Sequence, residues 1–526
     1  MRDGAEIAAD VMLPQGEGPW PAVVTRTPYM RGRHLSPESW LRLVGHGYAY
    51  VAVDVRGRGD SDGSFTPFVH DAEDGHDVIE WAAAQPWCTG RVGMVGSSYE
   101  GLTQWWTAKG RPPHLCCIVP QAVGSASLGP RWSMNSGVPF QYWIWWFNLV
   151  TGRTTQHSGA PSWTARYDSL PLRSLHEQVG TSREHWPKYV AGEIDWLGPD
   201  DALTPEDWAQ LETPALIGVG WWDDQNAMTT WMALKDSPAG PRSRLLIGAW
   251  DHAGNLAPRP TLGGMDVSES VIDVIGYIER FLALHLKEDA AAADELSRCR
   301  IFRTGLMQWE SLDDWPSPDA APTPWHLDEG GALSLEPSRA DGADGYVYDP
   351  SDPIRDFSNL DMLAWSDPPL DSRYLLRRDD VLVFTSAPRE RRLDVSGQAV
   401  FEGFVSADCP DTDLVADLYD IHPDGRSIML GALARPLRLA YRNGPDAEPL
   451  RPGEPVSVRL PFSWVHHSFL PGHRVGLSLS SSRFPFCAPN RNTGEAWADA
   501  TDGRVARVSV HRGARYPSQL VLPVEQ

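Results

Sequence analysis

The chain reads as an α/β protein with a helical insertion, followed by an all-β domain. Three observations predict this. Up to about residue 120, apolar runs suited to a sheet buried on both faces alternate with helical patterns. From about 124 to 211 the chain is rich in Trp, Pro and polar residues with helical rather than strand patterning, and the α/β rhythm then resumes. Beyond a Pro- and Asp-rich stretch at 313–323, short alternating runs punctuated by Gly, Asp and Pro favour a β-sandwich or jelly roll.

The first strands are expected over 5–13, 22–25 and 48–54, the last a nearly continuous apolar run. Val78, Ile79 and the 81–83 segment supply the apolar positions of a helix over 74–85, with Pro86 beyond its end. The run Arg91-Val92-Gly93-Met94-Val95 is a strand that leads through a tight turn into a helix over 102–108, and Cys116-Cys117-Ile118-Val119-Pro120 is the next strand. Strands recur at 214–220 and 244–248. An amphipathic helix over 272–287 places Ile275, Ile278, Phe281, Leu282 and Leu284 on one side. Residues 301–304 are read as the final sheet strand and 313–323 as a linker. In the last domain, strands are expected over 381–385, 398–406, 414–422, 455–460, 476–480 and 504–511.

A chain of 526 residues exceeds one core, so several domains are expected. Its formal charge of −23 repels nucleic acid and anionic membrane surfaces. Apolar runs of bilayer length are lacking, and Met1-Arg2-Asp3-Gly4 does not open a basic-then-apolar signal segment, so a cytoplasmic location is expected. The six cysteines have no C-x-x-C or Cys/His spacing and are read as reduced, mostly buried thiols rather than a zinc site or disulfide framework. Among 24 tryptophans, several crowd into Gln141-Tyr142-Trp143-Ile144-Trp145-Trp146-Phe147, a segment suited to a core or to a pocket wall.

The chemistry concentrates on Gly96-Ser97-Ser98-Tyr99-Glu100-Gly101, which joins a strand to a helix. Small flanking residues let the chain reverse sharply there, lifting the Ser98 hydroxyl to the rim of the sheet as a nucleophile. A serine nucleophile needs a base, and the base needs an orienting carboxylate. Asp223 follows the 214–220 strand and His252 follows the 244–248 strand, in the order Ser, Asp, His. Of sixteen histidines, His252 alone combines that order with a place after a strand. Asp224 and Asp251 compete for the carboxylate role; Asp251 adjoins the histidine and turns back onto its ring with difficulty, and Asp223 ranks first.

At this point the chain resembles the CocE/NonD group of serine hydrolases, which includes cocaine esterase, α-amino-acid ester hydrolases, glutaryl-cephalosporin acylases and S15 X-Pro dipeptidyl-peptidases. The likeness rests on Arg26-Thr27-Pro28-Tyr29, Asp54-Val55-Arg56-Gly57-Arg58-Gly59 with Ser61-Asp62-Gly63, Trp87-Cys88-Thr89-Gly90-Arg91-Val92-Gly93-Met94, the elbow, Gly220-Trp221-Trp222-Asp223 and Trp250-Asp251-His252. Asp411-Thr412-Asp413, Tyr441-Arg442-Asn443-Gly444 and Phe469-Leu470-Pro471-Gly472-His473-Arg474 carry it to the C-terminal domain. The resemblance implies an α/β-hydrolase core over 1–124 and 213–320, a helical cap over 125–212 and a jelly-roll β-sandwich over 321–526. It also implies that Tyr29 donates its hydroxyl to the oxyanion beside the backbone N–H of Tyr99.

The resemblance narrows the chemistry better than the substrate, which is expected to be a small-molecule ester or amide. α-Amino-acid ester hydrolases hold the substrate ammonium with carboxylates, part of which lie just after the catalytic aspartate, where this chain has Gln225 and Asn226. Amides do not offset the desolvation of an ammonium as carboxylates do. The cap acids Glu177, Glu184, Glu193 and Asp195 read as solvated helix charges, which disfavours a dipeptidyl-peptidase. Trp132, Trp143, Trp145, Trp146 and Trp222 suit a neutral apolar or aromatic acyl group, with Gln225 as a further substrate contact. A carboxylesterase is therefore expected first, then an acylase or acyltransferase or an α-amino-acid ester hydrolase, then a peptidase, and last a non-catalytic binding protein on a hydrolase scaffold. The chemistry requires neither metal nor organic cofactor; a homo-oligomer is compatible with the sequence.

Overall fold

The computed structural model describes the chain apart from residues 36–39, 126–139, 157–168, 180–184, 192–202, 224–225, 356–370, 432–435 and 445, and apart from the side chains of 34, 35, 140–142 and 179. A nine-stranded sheet is built from β1 (Ala9–Met12), β2 (Trp20–Thr27), β3 (Ala49–Asp54), β4 (Cys88–Ser97), β5 (Leu115–Gln121), β6 (Leu216–Trp222), β7 (Arg244–Asp251), β10 (Cys299–Arg303) and β11 (Gln308–Leu312), with the small hairpin β8 (Thr261–Leu262) and β9 (Met265–Asp266) between β7 and β10. The spatial order is β1-β3-β2-β4-β5-β6-β7-β10-β11. The seven inner strands are parallel, and both edge strands run antiparallel.

Alternation along β4 and β5 explains why the sheet is covered on both faces. Val92, Met94 and Ile118 join one buried cluster with Val78, Leu102 and Trp105. Val95 and Cys117 join a second cluster with Ile278, Phe281 and Leu282. The helices Asp71–Ala83 and Tyr99–Lys109 thus lie on one side and the helix Val274–Leu286 on the other. Between β5 and β6 come the helices Phe140–Leu149, Leu175–Val179, His185–Val190 and Pro205–Ala209. The first presents Trp143, Trp146 and Phe147 to Tyr189, with ring centroids 5.3 to 5.7 Å apart along the chain of contacts.

The remaining strands form one twelve-stranded sheet system: β12 (Ala320–Asp328), β13 (Ala332–Ser334), β14 (Gly342–Tyr348), β15 (Leu382–Ser386), β16 (Leu393–Ala407), β17 (Asp413–Ile421), β18 (Ser427–Met429), β19 (Leu437–Arg438), β20 (Val456–Phe469), β21 (Arg474–Ser480), β22 (Ala506–Arg512) and β23 (Gln519–Glu525). They enclose their own apolar core, with Trp325, Phe384, Phe401, Leu418 and Leu477 among its members.

Two expectations about this region are corrected. Residues 301–304 do not contain the last strand of the α/β sheet, because β11 adds an antiparallel edge beyond β10. The 313–323 stretch is not a free linker. Trp315 is fully buried, its carbonyl accepts from the Trp231 indole at 2.9 Å, and its ring packs on Trp221 and Trp464, 5.9 and 5.5 Å away. The join is reinforced where Thr304 exchanges backbone bonds with His466 and Ser468 of β20, each 3.0 Å. Among the described residues, no helix is long and apolar enough to cross a membrane. The six cysteines are free thiols, all buried except the partly exposed Cys116.

Candidate active site

Four loops leave the carboxyl ends of β2, β4, β6 and β7 and carry Tyr29, Ser98, Asp223 and His252. The strand order reverses around β2 and β4, the place where open α/β sheets leave a crevice above the strand ends. β6 and β7 each run further than the sequence predicts, to Trp222 and Asp251, so that Asp223 and His252 follow their strands directly.

Ser98 sits at the turn with φ 62° and ψ −126°, outside the regions a side chain ordinarily prefers, and the helix begins at once at Tyr99 rather than at 102. The turn is held by Ser98 N–H donating to the Gln121 carbonyl at 3.0 Å, and by the Ser98 carbonyl accepting from Gly101 and Leu102. Both flanking glycines are needed. A Cβ on Gly96 would meet the Glu100 Cβ at 2.5 Å, and one on Gly101 would meet the Val123 Cγ1 at 2.4 Å. The Tyr99 amide is the first N–H of the helix, a group with no acceptor inside the helix itself.

His252 is partly exposed and its Nδ1 lies 2.8 Å from Oδ1 of the buried Asp223. The other oxygen of Asp223 accepts from the Asn255 amide, which also donates to the Asp251 carbonyl at 2.8 Å. Asp251 turns away into its own loop, accepting from the Gly254 N–H at 2.8 Å and pairing with Arg259. Asp224 and Gln225 lie outside the described residues.

The Tyr29 oxygen accepts from the Trp146 indole at 2.9 Å. Burial pushes the phenol up to about 12, against the opposing pull of Trp146 and of the Ser98 hydroxyl beside it, while the Glu100 carboxylate adds to the rise. Tyr29 therefore stays protonated at neutral pH. Trp146 stacks on Tyr99 and Phe68, with centroids 5.7 and 6.4 Å away. Trp143 is buried beside it and Trp145 partly exposed, while Trp132 lies outside the described residues. Trp222 is buried and its indole donates to the Met429 carbonyl of β18 at 3.0 Å, so it ties the sheet to the sandwich. Of the cap acids, Glu177 is exposed, and Glu184, Glu193 and Asp195 lie outside the described residues.

Sequence reasoning missed the supports of this site. Arg58, fully buried, donates to the Pro28 carbonyl at 2.8 Å and to the Val150 carbonyl at 2.6 Å, fixing the Tyr29 loop against the end of the helix that carries Trp146. The Tyr99 hydroxyl donates to Asp71 at 2.7 Å and accepts from the Phe68 N–H at 3.1 Å, and Asp71 in turn pairs with buried Arg26 at 3.0 Å. Burial and then the Asp71 charge hold the Tyr99 phenol well above its ordinary range. Arg58 lies in a motif that carried the family resemblance, but Asn255 and Asp71 carry no signal in a single sequence.

Two family models match the chain: the X-Pro dipeptidyl-peptidase (S15 family) model over residues 3–254, and the X-Pro dipeptidyl-peptidase C-terminal non-catalytic domain over 291–521. The cocaine esterase of Rhodococcus sp. (strain MB1 Bresler) is 32% identical over 100% of this chain and 97% of its own length. The chain belongs to the S15/CocE family of serine hydrolases. Among solved structures, an aminopeptidase from a marine sediment Thaumarchaeota archaeon matches with a TM-score of 0.87 at 25% identity, covering 100% of this chain and 95% of that one. An α-amino acid ester hydrolase matches with a TM-score of 0.87 at 24% identity, with the same coverage, a likeness of fold. Both agree with the α/β-hydrolase core and C-terminal all-β domain seen here. Membership in this S15/CocE family makes the protein a serine hydrolase and sets aside the reading of a non-catalytic binding scaffold.

Proposed function

We propose that this S15/CocE hydrolase cleaves a carboxylic ester or amide through an acyl-enzyme on Ser98, with His252 as base and Asp223 as its orienting carboxylate. The observation that carries the reading is the 2.8 Å contact between His252 Nδ1 and buried Asp223, on loops that share one end of the sheet with the Ser98 turn. With Nδ1–H donated to Asp223, Nε2 is left as the acceptor a general base requires. His252 takes the Ser98 proton as the oxygen attacks the carbonyl, then returns it to the leaving group; water or another acceptor releases the acyl group. The Tyr29 hydroxyl and the Tyr99 amide hold the developing oxyanion. The insertion at 125–212 serves as a cap over this site, above a catalytic core of 1–124 and 213–320 and beside a sandwich of 321–526.

A neutral apolar or aromatic acyl donor fits the ring-lined surroundings of Tyr29, where Trp146, Phe68 and Tyr99 stack. Asn226, a neutral amide, opens the helix after Asp223, where an ammonium would call for a carboxylate. The name of the Rhodococcus relative also favours an ester substrate. One observation favours a second reading, an α-amino acyl donor: the Glu100 carboxylate lies near enough to Tyr29 to raise its phenol. The archaeal relative named an aminopeptidase agrees with that alternative.

Initial rates on a neutral aromatic ester, an α-amino-acid ester, a glutaryl amide and a Gly-Pro anilide separate these readings. The proposal expects the neutral ester to dominate. Preference for the amino ester or the anilide would replace it with the second reading.

A further inference from the structure

Outside the hydrolase site, one buried carboxylate in the sandwich is surrounded by three imidazoles. Asp420 lies near the end of β17, His422 follows that strand, His473 immediately precedes β21, and His467 is in β20. The pairing of β17 with β21 puts Ile421 opposite Arg474, which brings His422 and His473 face to face with ring centroids 4.3 Å apart. Ligand atoms of Asp420, His422 and His473 all fall within 4.8 Å of one another. Asp420 Oδ2 is 3.5 Å from His422 Nε2 and 3.3 Å from His467 Nε2. The edge of a tetrahedron of nitrogen and oxygen ligands around zinc is ~3.3 to 3.5 Å, from metal–ligand distances of about 2.0 to 2.1 Å.

His467 supplies an independent sign. It is almost wholly buried, and its Nε2 has no hydrogen-bond partner although it points at the carboxylate. Its other nitrogen, Nδ1, is 2.8 Å from the Thr304 hydroxyl, and that hydroxyl has the His466 carbonyl as an acceptor at 3.4 Å. In the tautomer with Nδ1–H donating to Thr304, a lone pair on Nε2 faces an anionic oxygen. In that tautomer two acceptors face each other, an arrangement that a cation between them relieves. Thr304 acts as the outer partner that orients a metal-ligating histidine. His473 Nδ1 approaches both Asp420 oxygens, at 2.8 and 2.9 Å, and His422 keeps the cluster open to solvent on one side. Arg426, beside His422 Nδ1 at 3.4 Å, has Asp424 as its nearer partner at 2.7 Å.

We propose that Asp420, His422 and His473, with His467 buried against Asp420, form a binding site for one divalent transition-metal ion of the zinc type. The ion joins β17, β20 and the turn before β21 at the edge of the sandwich where β20 bonds to Thr304 of the α/β domain. Its role is structural: it clamps the junction of the two domains and takes no part in hydrolysis. The ligands come from two stretches of chain, 420–422 and 467–473, with no fixed short spacing that sequence reading would recognise.

The test uses the full chain, stripped with a chelator and titrated with zinc chloride. One Zn²⁺ per chain should remain after gel filtration, the melting temperature should rise with Zn²⁺, and Co²⁺ should give the visible absorption of a four-coordinate site. His422→Ala, at the open side, should keep its hydrolase activity and fold while binding Zn²⁺ at least about tenfold more weakly. His473→Ala should abolish the four-coordinate Co²⁺ spectrum. A wild-type chain that retains no metal and shows no thermal shift overturns the proposal. So does metal binding that His422→Ala leaves unchanged, since the ion would then lie elsewhere.

Discussion

The indole Nε1 of Trp146 donates a 2.9 Å hydrogen bond to the phenolic oxygen of Tyr29, joining a helix of the insertion to the loop after β2. A phenol has one proton to give. Because the Tyr29 oxygen accepts from Trp146, its proton is free to point toward Ser98 and the oxyanion proposed there. On the proposed mechanism the insertion thus orients the oxyanion donor.

Tyr29→Phe should lower kcat by roughly 10² to 10³, as expected for loss of one oxyanion donor, and should also lower the melting temperature, because the buried Trp146 indole loses its acceptor. Trp146→Phe should lower kcat about tenfold, the effect of one hydrogen bond worth ~1.4 kcal/mol. Full activity in folded Tyr29→Phe would remove the phenol from the mechanism.

The raised Tyr29 phenol sets an alkaline signature. Its folded value of about 12 lies above the ordinary value of 10.0 for a free tyrosine. Below pH 10 both states keep the proton, so stability is intact; as pH rises from 10 toward about 12 only the unfolded chain loses it, and stability falls. Melting temperatures across that range should decline more steeply for the wild type than for Tyr29→Phe.

Asp223→Asn should cost roughly 10³ to 10⁴ in kcat with little change in KM, because an amide no longer selects the His252 tautomer in which Nε2 carries no proton. Steady-state kinetics on the preferred ester check this. A loss below tenfold would assign the orienting role to another group.

Tyr99→Phe separates the amide from the side chain at one position. The hydroxyl is buried and satisfies both Asp71 and the Phe68 N–H, so its removal should destabilise the fold by about 1 to 3 kcal/mol. The amide survives the substitution, and kcat at a temperature where the variant is folded should stay within severalfold of wild type. Thermal melts beside initial rates give both quantities.

Trp222→Phe removes the indole that reaches the Met429 carbonyl, leaving that carbonyl buried and unpaired, and should also cost about 1 to 3 kcal/mol. If Trp222 instead matters chiefly as a pocket wall, KM will change and the melting temperature will not.

Local signals carried much of the fold. The 48–54 run and the 91–95 run became β3 and the body of β4, since their apolar residues face both covered sides of the sheet. The sequence predicts that the strand preceding His252 ends at Gly248, yet β7 continues to Asp251 because Trp250 is buried on the face shared with Ile278 and Phe281. Pro and Asp around Trp315 predict a linker, and only packing against Trp221, Trp231 and Trp464 reveals it as a wedge between domains. Chain order after strands singles out Asp223 and His252, which the structure brings within 2.8 Å, and the proposed nucleophile Ser98. Asn255, Asp71 and the imidazoles around Asp420 are not legible in this way, because their partners are set by tertiary contacts that no short pattern encodes.

The most direct test of the central claim is mapping of a fluorophosphonate adduct by mass spectrometry on the wild-type chain. One adduct per chain on the peptide bearing Ser98, with activity lost in proportion and no adduct on Ser98→Ala, is the predicted result. Labelling of another serine, or a Ser98→Ala variant that retains full activity, would contradict the account.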